Sequence, residues 1–192
     1  MAFIVTRIDV GDYDTWKTMF DKDEPGARHG ATGFRILRGT ENPGEVFILV
    51  EFASIEDAQA GRERLLGSGV LDRFADKDLP KIVEEADATS VDSDAPMAAR
   101  TSTWLGSPEA LDKWEEHVVT RVSGFVAGLP GNAGGSFFID RDAGKALTLT
   151  LWESEAAAAE TDKFADQSRA STVDATGVEL VERGSYLVVK RS

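Results

Sequence analysis

A strand that turns into a capped helix occurs twice in this sequence, and that repetition restricts the possible folds more than any other feature. Residues 145–160 read KALTLTLWESEAAAAE. Leu147, Leu149 and Leu151 alternate with Ala146, Thr148, Thr150 and Trp152, and a period of two marks a half-buried strand. Ser154 then stands as the N-cap of a helix whose first turn is acidic and rich in Ala. Residues 45–59, EVFILVEFASIEDAQ, repeat the pattern. Phe47 falls on Leu147, Leu49 on Leu149, Phe52 on Trp152 and Ser54 on Ser154. The chain reads as an internal duplication.

The remaining segments follow one order twice. In the first copy, a strand over 3–10 passes through Gly11 and the capping residue Asp12 into a helix carrying Tyr13, Trp16 and Phe20. A Gly-rich loop precedes a strand over 34–38, and the turn ENPG joins it to a strand over 46–52. A helix over 54–66 and a strand over 82–86 complete the copy. In the second copy, a strand over 100–105 meets the helix start Ser107-Pro108-Glu109, with Pro at the first helical position. Leu111, Trp114, Val118, Val122 and Phe125 recur on that helix. GLPGNAGG, at 128–135, reads as a loop. A hairpin of 136–140 and 146–152, a helix to residue 169 and strands over 178–182 and 185–190 follow, with a bulge expected at Gly184. The polar segment 91–97 reads as a linker between a first repeat at 1–90 and a second at 98–192.

Each copy is therefore β-α-β-β-α-β, a ferredoxin-like unit, and the fold class is α+β. Both helices lie on one face of such a sheet, which leaves the other bare. Leu147, Leu149 and Leu151 form such a face. At ~25 cal/mol per Å2, several wet aliphatic side chains cost several kcal/mol. Two copies packed face to face avoid that cost.

Composition narrows function by exclusion. A formal net charge of −13 over 192 residues argues against nucleic acid, which needs clustered Lys and Arg, and against an anionic membrane surface. With no cysteine, disulfides, thiolate metal sites and Cys nucleophiles are ruled out. Two isolated histidines make a poor metal site, so no metal is expected. The N-terminal stretch lacks a basic segment followed by an apolar run, so a cytoplasmic protein without a signal peptide is expected.

The stretch LTLWESEAAAAE resembles the strand-helix signature of the antibiotic-biosynthesis monooxygenase (ABM) family, a branch of the dimeric α+β barrel superfamily. DYDTWKTMFD and VEFASIEDA of the first copy resemble another branch of it. The resemblance spans nearly the whole chain. It implies that the two ferredoxin-like repeats form one dimeric α+β barrel within the chain, a pseudo-dimer that could associate further as a homodimer. It also implies a ligand pocket in each half, between the helices and the sheet. The family's monooxygenases use the Trp matching Trp152 as a pocket wall. Thr148 stands where they carry Asn, and a hydroxyl lacks the paired donor and acceptor of an amide.

Residues that break the repeat are the better functional candidates, and they gather in the second copy. His117 lies three residues after Trp114 on a helix, hence beside it, and is the expected general base. Trp152 and Thr148 complete the catalytic set. Trp104, Trp114, Thr150, Phe138 and the loop residue His29 are expected to contact substrate. Trp104 is matched to Thr6 of the first copy. The resemblance implies a cofactor-independent monooxygenase of secondary metabolism acting on a small, hydrophobic, electron-rich polycyclic aromatic, an anthrone or hydroquinone. A non-oxidative polyketide cyclase, isomerase or lyase, and a non-catalytic small-molecule-binding protein, are the alternatives. The first copy, with Val46, Ile48, Val50 and Phe52 on the matching face, is expected to be scaffold.

Overall fold

The computed structural model describes residues 1–89 and 96–191. Two compact units make up the chain, Met1–Glu84 with the final residues from Val188, and Glu85–Leu187. Most of the expected linker, residues 91–95, lies outside the described residues.

In the first unit β1 (Ala2–Asp9), α1 (Tyr13–Lys22), β2 (Ala31–Gly39), β3 (Glu45–Phe52), α2 (Ile55–Gly67), a 3-10 turn (Val70–Arg73) and β4 (Lys81–Thr89) follow in order. All pairs are antiparallel, in the spatial order β4-β1-β3-β2. Local chemistry sets the helix ends. Asp12 caps α1 by accepting from the Thr15 amide at 2.8 Å, and Ser54 caps α2 by accepting from the Asp57 amide at 3.1 Å. The register places Ile4, Thr6 and Ile8 opposite Val50, Ile48 and Val46. That face packs with Trp16, Phe52, Ala58 and Leu71 into one core. Residues of the opposite face, Val5, Leu37 and Leu49, are buried as well.

The second unit repeats the plan with β5 (Ala98–Leu105), α3 (Pro108–His117), α4 (Ser123–Ala127), β6 (Asn132–Asp140), β7 (Lys145–Trp152), α5 (Glu155–Glu160), α6 (Asp162–Thr176) and β8 (Glu179–Arg191). Its antiparallel pairs run β8-β5-β7-β6. Both units are thus the expected βαββαβ. Leu147, Leu149 and Leu151 are buried, at 8, 0 and 5% exposure, so the face that would have been costly to wet is covered.

Four local readings change. The helix after β5 is not continuous α: Val118–Val122 form a π turn between α3 and α4, a wider coil that often marks a functional segment. The expected loop at 128–135 instead ends in strand, because β6 begins at Asn132. The buried Asn132 amide donates to the carbonyls of Gly134 and Leu151 and accepts from the Gly134 amide, which staples a bulge in place. Helix α6 runs on to Thr176, where Gly177 closes it at φ 79; the Thr172 and Thr176 hydroxyls back-bond to the preceding turn, so they lie buried without a polar cost. Finally, the β8 bulge falls between the residues facing Thr103 and Trp104, not at Gly184. Gly184 is needed for close approach instead: a Cβ there would sit 2.4 Å from the Tyr186 ring and 2.8 Å from Thr101 Oγ1.

The registers also revise one equivalence. Trp104 pairs with Ala146 and Ile8 with Val46, while Thr6 pairs with Ile48 and Ser102 with Thr148. The counterpart of Trp104 is therefore Ile8, and Thr6 answers to Ser102.

Candidate functional site

Each unit holds a hollow between its helices and one face of its sheet. In the second unit alternation along β5 and β7 sends Arg100, Ser102, Trp104, Thr148, Thr150 and Trp152 to the same wall. Trp114 reaches the hollow from α3 and Arg169 from α6. Five expected residues (Trp104, Trp114, Thr148, Thr150 and Trp152) thus meet around one space. That space is small, about 50 Å3, because the three indoles fill it; each is at most 2% exposed.

Its polar groups are arranged unequally. The Trp152 indole donates to Thr150 Oγ1 at 3.0 Å, and Thr148 Oγ1 makes a long contact of 3.5 Å to the Ser102 carbonyl. Arg169 Nε donates to Ser102 Oγ at 3.1 Å. The Arg100 guanidinium lies 5.6 Å from the centre of the Trp152 ring and is paired with Asp162. Burial, the largest influence, pushes both arginine pKa values down, against the raising effect of nearby Asp162 and Asp166. The indole N–H groups of Trp104 and Trp114 are buried with no acceptor among the described residues. Each unmet buried donor costs about 1–3 kcal/mol.

The other expected residues lie elsewhere. His117 is half-buried at the end of α3 and is not part of the wall. Burial, then the charge of Arg121, lowers its pKa, which favours the neutral imidazole. Phe138 faces Leu147, on the opposite side of the sheet; it is Phe137, opposite Thr148, that lines the hollow. Counting back from the Asp140–Lys145 end of the hairpin would have found it. His29 is exposed in the loop before β2, its amide bonded to the Gly26 carbonyl.

The larger cavity, about 320 Å3, is in the first unit. Its floor is Ile4, Thr6, Ile8, Ile48 and Val50, and its roof comes from α1, α2 and the 3-10 turn, with Trp16, Phe20, Leu65 and Phe74 among the roof residues. The contrast has a physical cause. The register sets Ile4 and Ile8 where the second unit has Arg100 and Trp104, and Phe52 where it has Trp152. Smaller side chains leave the first hollow open. Thr6 Oγ1, buried, donates to the Asp78 carbonyl at 2.7 Å. Arg28 lines the same cavity, its guanidinium 4.1 Å from the Phe20 ring centre and 5.0 Å from that of Phe34. Its Nε–H is buried without a hydrogen bond, the nearest carboxylate oxygen being Asp23 Oδ1 at 3.8 Å. Asp23 also lines the cavity, and its carboxylate accepts from the Ala27 and Arg28 amides.

Among the described residues, no group of three His, Asp or Glu comes together as a metal site, and no helix is long and apolar enough to cross a membrane.

The fold is similar to that of several solved proteins, one of them described as a ferredoxin fold protein related to antibiotic biosynthesis monooxygenases. No family model matches the chain, and no curated protein matches it. Among solved structures, an anthrone oxidase-like protein aligns with a TM-score of 0.72 at 14% identity, over 100% of this chain and 92% of its own. A heme-degrading enzyme from Listeria monocytogenes aligns with a TM-score of 0.60 at 8% identity, over 97% and 99%. A ferredoxin-fold protein related to antibiotic biosynthesis monooxygenases, from the same species, aligns with a TM-score of 0.59 at 8% identity, over 99% and 96%. Names so different on one architecture illustrate that a fold does not fix a reaction.

Proposed function

We propose that the chain binds a flat, electron-rich aromatic molecule in the first unit's cavity and oxygenates it with dioxygen, using the substrate's own anion as the reductant. The observation that carries this reading is the cavity itself: about 320 Å3, within the usual range for small-molecule sites, apolar on most sides and with few polar groups. The monooxygenase-related and anthrone oxidase-like names among the structural neighbours favour the same reaction class.

The chemistry asks for three things from the protein. Apolar walls such as Ile48, Trp16 and Phe74 hold the ring system and exclude water. The lone pairs of Thr6 Oγ1, whose proton is already given to Asp78, accept a phenolic hydrogen. The Arg28 guanidinium, with an unmet Nε–H, favours the ionised form of the substrate by its charge. Once a ring CH2 loses a proton, the carbanion passes one electron to dioxygen. The radical and superoxide then join as a peroxide anion, which takes back a proton in place of the one lost from the ring, and loss of water from the hydroperoxide leaves a ketone. In sum, one CH2 and one O2 become one C=O and one H2O.

Binding without turnover is a second reading. It is favoured by the state of Asp23, whose carboxylate is engaged by two backbone amides and leaves Glu24 as the remaining lining carboxylate, on the exposed rim. The two readings part in an oxygen electrode with an anthrone as substrate. Turnover predicts oxygen uptake by the purified protein that falls at least tenfold in Ile48→Trp, which fills the cavity. Anthrone binding without oxygen uptake favours the second reading. No binding, or uptake undiminished in folded Ile48→Trp, removes the first unit's cavity as the site.

A further inference from the structure

We propose that the second unit's hollow is a binding site for a small oxyanion, a carboxylate or oxoacid of a few heavy atoms, held between Arg100, Arg169 and the indole N–H groups of Trp104 and Trp114. This lies in a different hollow from the proposed reaction, so either idea can fail alone.

The first observation is the sign of the wall. It carries two guanidinium groups and no carboxylate, in a chain with 34 acidic and 21 basic residues. The side chains of Arg100 and Arg169 are 11 and 16% exposed, whereas their partners Asp162 and Asp166 are 64 and 63% exposed. The guanidinium groups are thus largely buried while their carboxylate partners stand in solvent, where the pairing is weakened, and Arg100 Nη1 makes only a long 3.4 Å contact to Thr161 Oγ1. Arg169 spends Nε on Ser102 and Nη1 on Asp166; Nη2 makes no hydrogen bond among the described residues. A guanidinium with an unspent N–H is suited to a carboxylate or oxoanion oxygen.

The second observation is independent of charge. Trp104 and Trp114 both line the hollow, are 2 and 0% exposed, and have N–H groups with no acceptor. An indole can only donate, so whatever satisfies these two groups brings oxygen lone pairs. Buried donors without partners are rare enough in proteins to need a cause.

The third observation is the comparison between units. Strand registers equate Arg100, Ser102, Thr148 and Thr150 with Ile4, Thr6, Ile48 and Val50. One sheet face is apolar but for a single hydroxyl; its counterpart carries a cation and three hydroxyls. A core maintained only for packing gains little from these groups, since a made buried hydrogen bond contributes only about 1 kcal/mol net while an unmet buried group costs about 1–3 kcal/mol. Volume sets the ligand's size. About 50 Å3 exceeds the roughly 10–15 Å3 needed for one water, yet is far below the volume that a ring system needs.

Acetate, formate and nitrate, each titrated against sodium chloride at constant ionic strength, test the proposal through intrinsic Trp fluorescence and thermal melting. The expected result is a saturable change with at least one of the three that chloride does not produce. Arg169→Gln should weaken it tenfold or more, and Trp104→Phe, which keeps a six-membered aromatic ring but removes the pyrrole portion with its N–H, several-fold. Arg28→Gln, in the other unit, should leave it unchanged. If Arg169→Gln fails to fold, Trp104→Phe and Arg169→Lys carry the test, with Lys expected to keep part of the affinity. No saturable change up to about 100 mM, a millimolar-or-weaker ceiling of negligible affinity, or equal binding in wild type and folded Trp104→Phe and Arg169→Gln, overturns the site.

Discussion

At the scale of single residues, the chain shows why side chains of one type have different fates. Trp152 satisfies its indole through Thr150 two residues back on the same strand, while Trp104 and Trp114, equally buried, do not. Gly184 is fixed by what a methyl would strike. A Cβ would press on the Tyr186 ring and Thr101 Oγ1, so Gly184→Ala should destabilise the protein by about 1–3 kcal/mol, the usual cost of overpacking. An unchanged urea midpoint would contradict this. His117 is held off the ordinary histidine range by its surroundings. Its folded pKa lies below 6.5 because burial and then Arg121 disfavour the cation. Its contribution to stability is therefore complete above about pH 6.5 and is lost as pH falls through the lower folded value. An NMR titration should place the imidazole midpoint below 6.5; a midpoint at or above it would contradict the burial argument. The residues that sequence reading overlooked, Arg100 and Arg169, were hidden by habit of type. Charged side chains read as solvated, although Arg100 shares a strand face with Ser102 and Trp104 and Arg169 lies three residues before the buried Thr172.

At the scale of elements, what was legible was whatever depends on local chemistry. The Ser54 and Ser154 corners, the Pro108 helix start and the alternation of β7 each rest on neighbours within a few residues, and each recurs in the structure. The caps supply a prediction. Ser54 Oγ, Ser107 Oγ and Ser154 Oγ each accept from the amide three residues on, at 3.1, 3.3 and 3.1 Å. Replacing any one with Ala should cost about 1 kcal/mol, read as a lowered chemical-denaturation midpoint with an unchanged slope. Stability equal to wild type in all three variants would show that the caps contribute nothing. The elements that were missed depend on distant partners. The early start of β6 needs Asn132 bonded across to Leu151, and the π turn at Val118–Val122 fits the same hydrophobic spacing that an α-helix does. The cavities were illegible for a related reason. A hollow is the volume that opposing elements fail to fill, and it follows from the pairing of Ile8 with Val46 and of Trp104 with Ala146, which the sequence does not display.

At the scale of the whole molecule, two units share one plan and differ in what they leave open: one holds a largely apolar cavity, the other a small, cationic, hydroxyl-rich one. Both sit in a chain whose net charge is −13, and that excess has its own consequence. Like charges repel more in the compact state than in the extended one, so a large net charge destabilises the fold. The Debye length shrinks from about 30 Å at 0.01 M salt to about 10 Å at 0.1 M, and screening on that scale relieves repulsion between distant carboxylates. The opposing effect is the loss of ion pairs. Those of Arg141 with Asp112 and Glu115, and of Arg183 with Asp166, are largely exposed and are worth little to begin with. Repulsion therefore decides the sign, and the melting temperature should rise by a few degrees between 0.01 and about 0.3 M sodium chloride. A melting temperature that is flat or falls with salt would mean that the ion pairs outweigh the net charge.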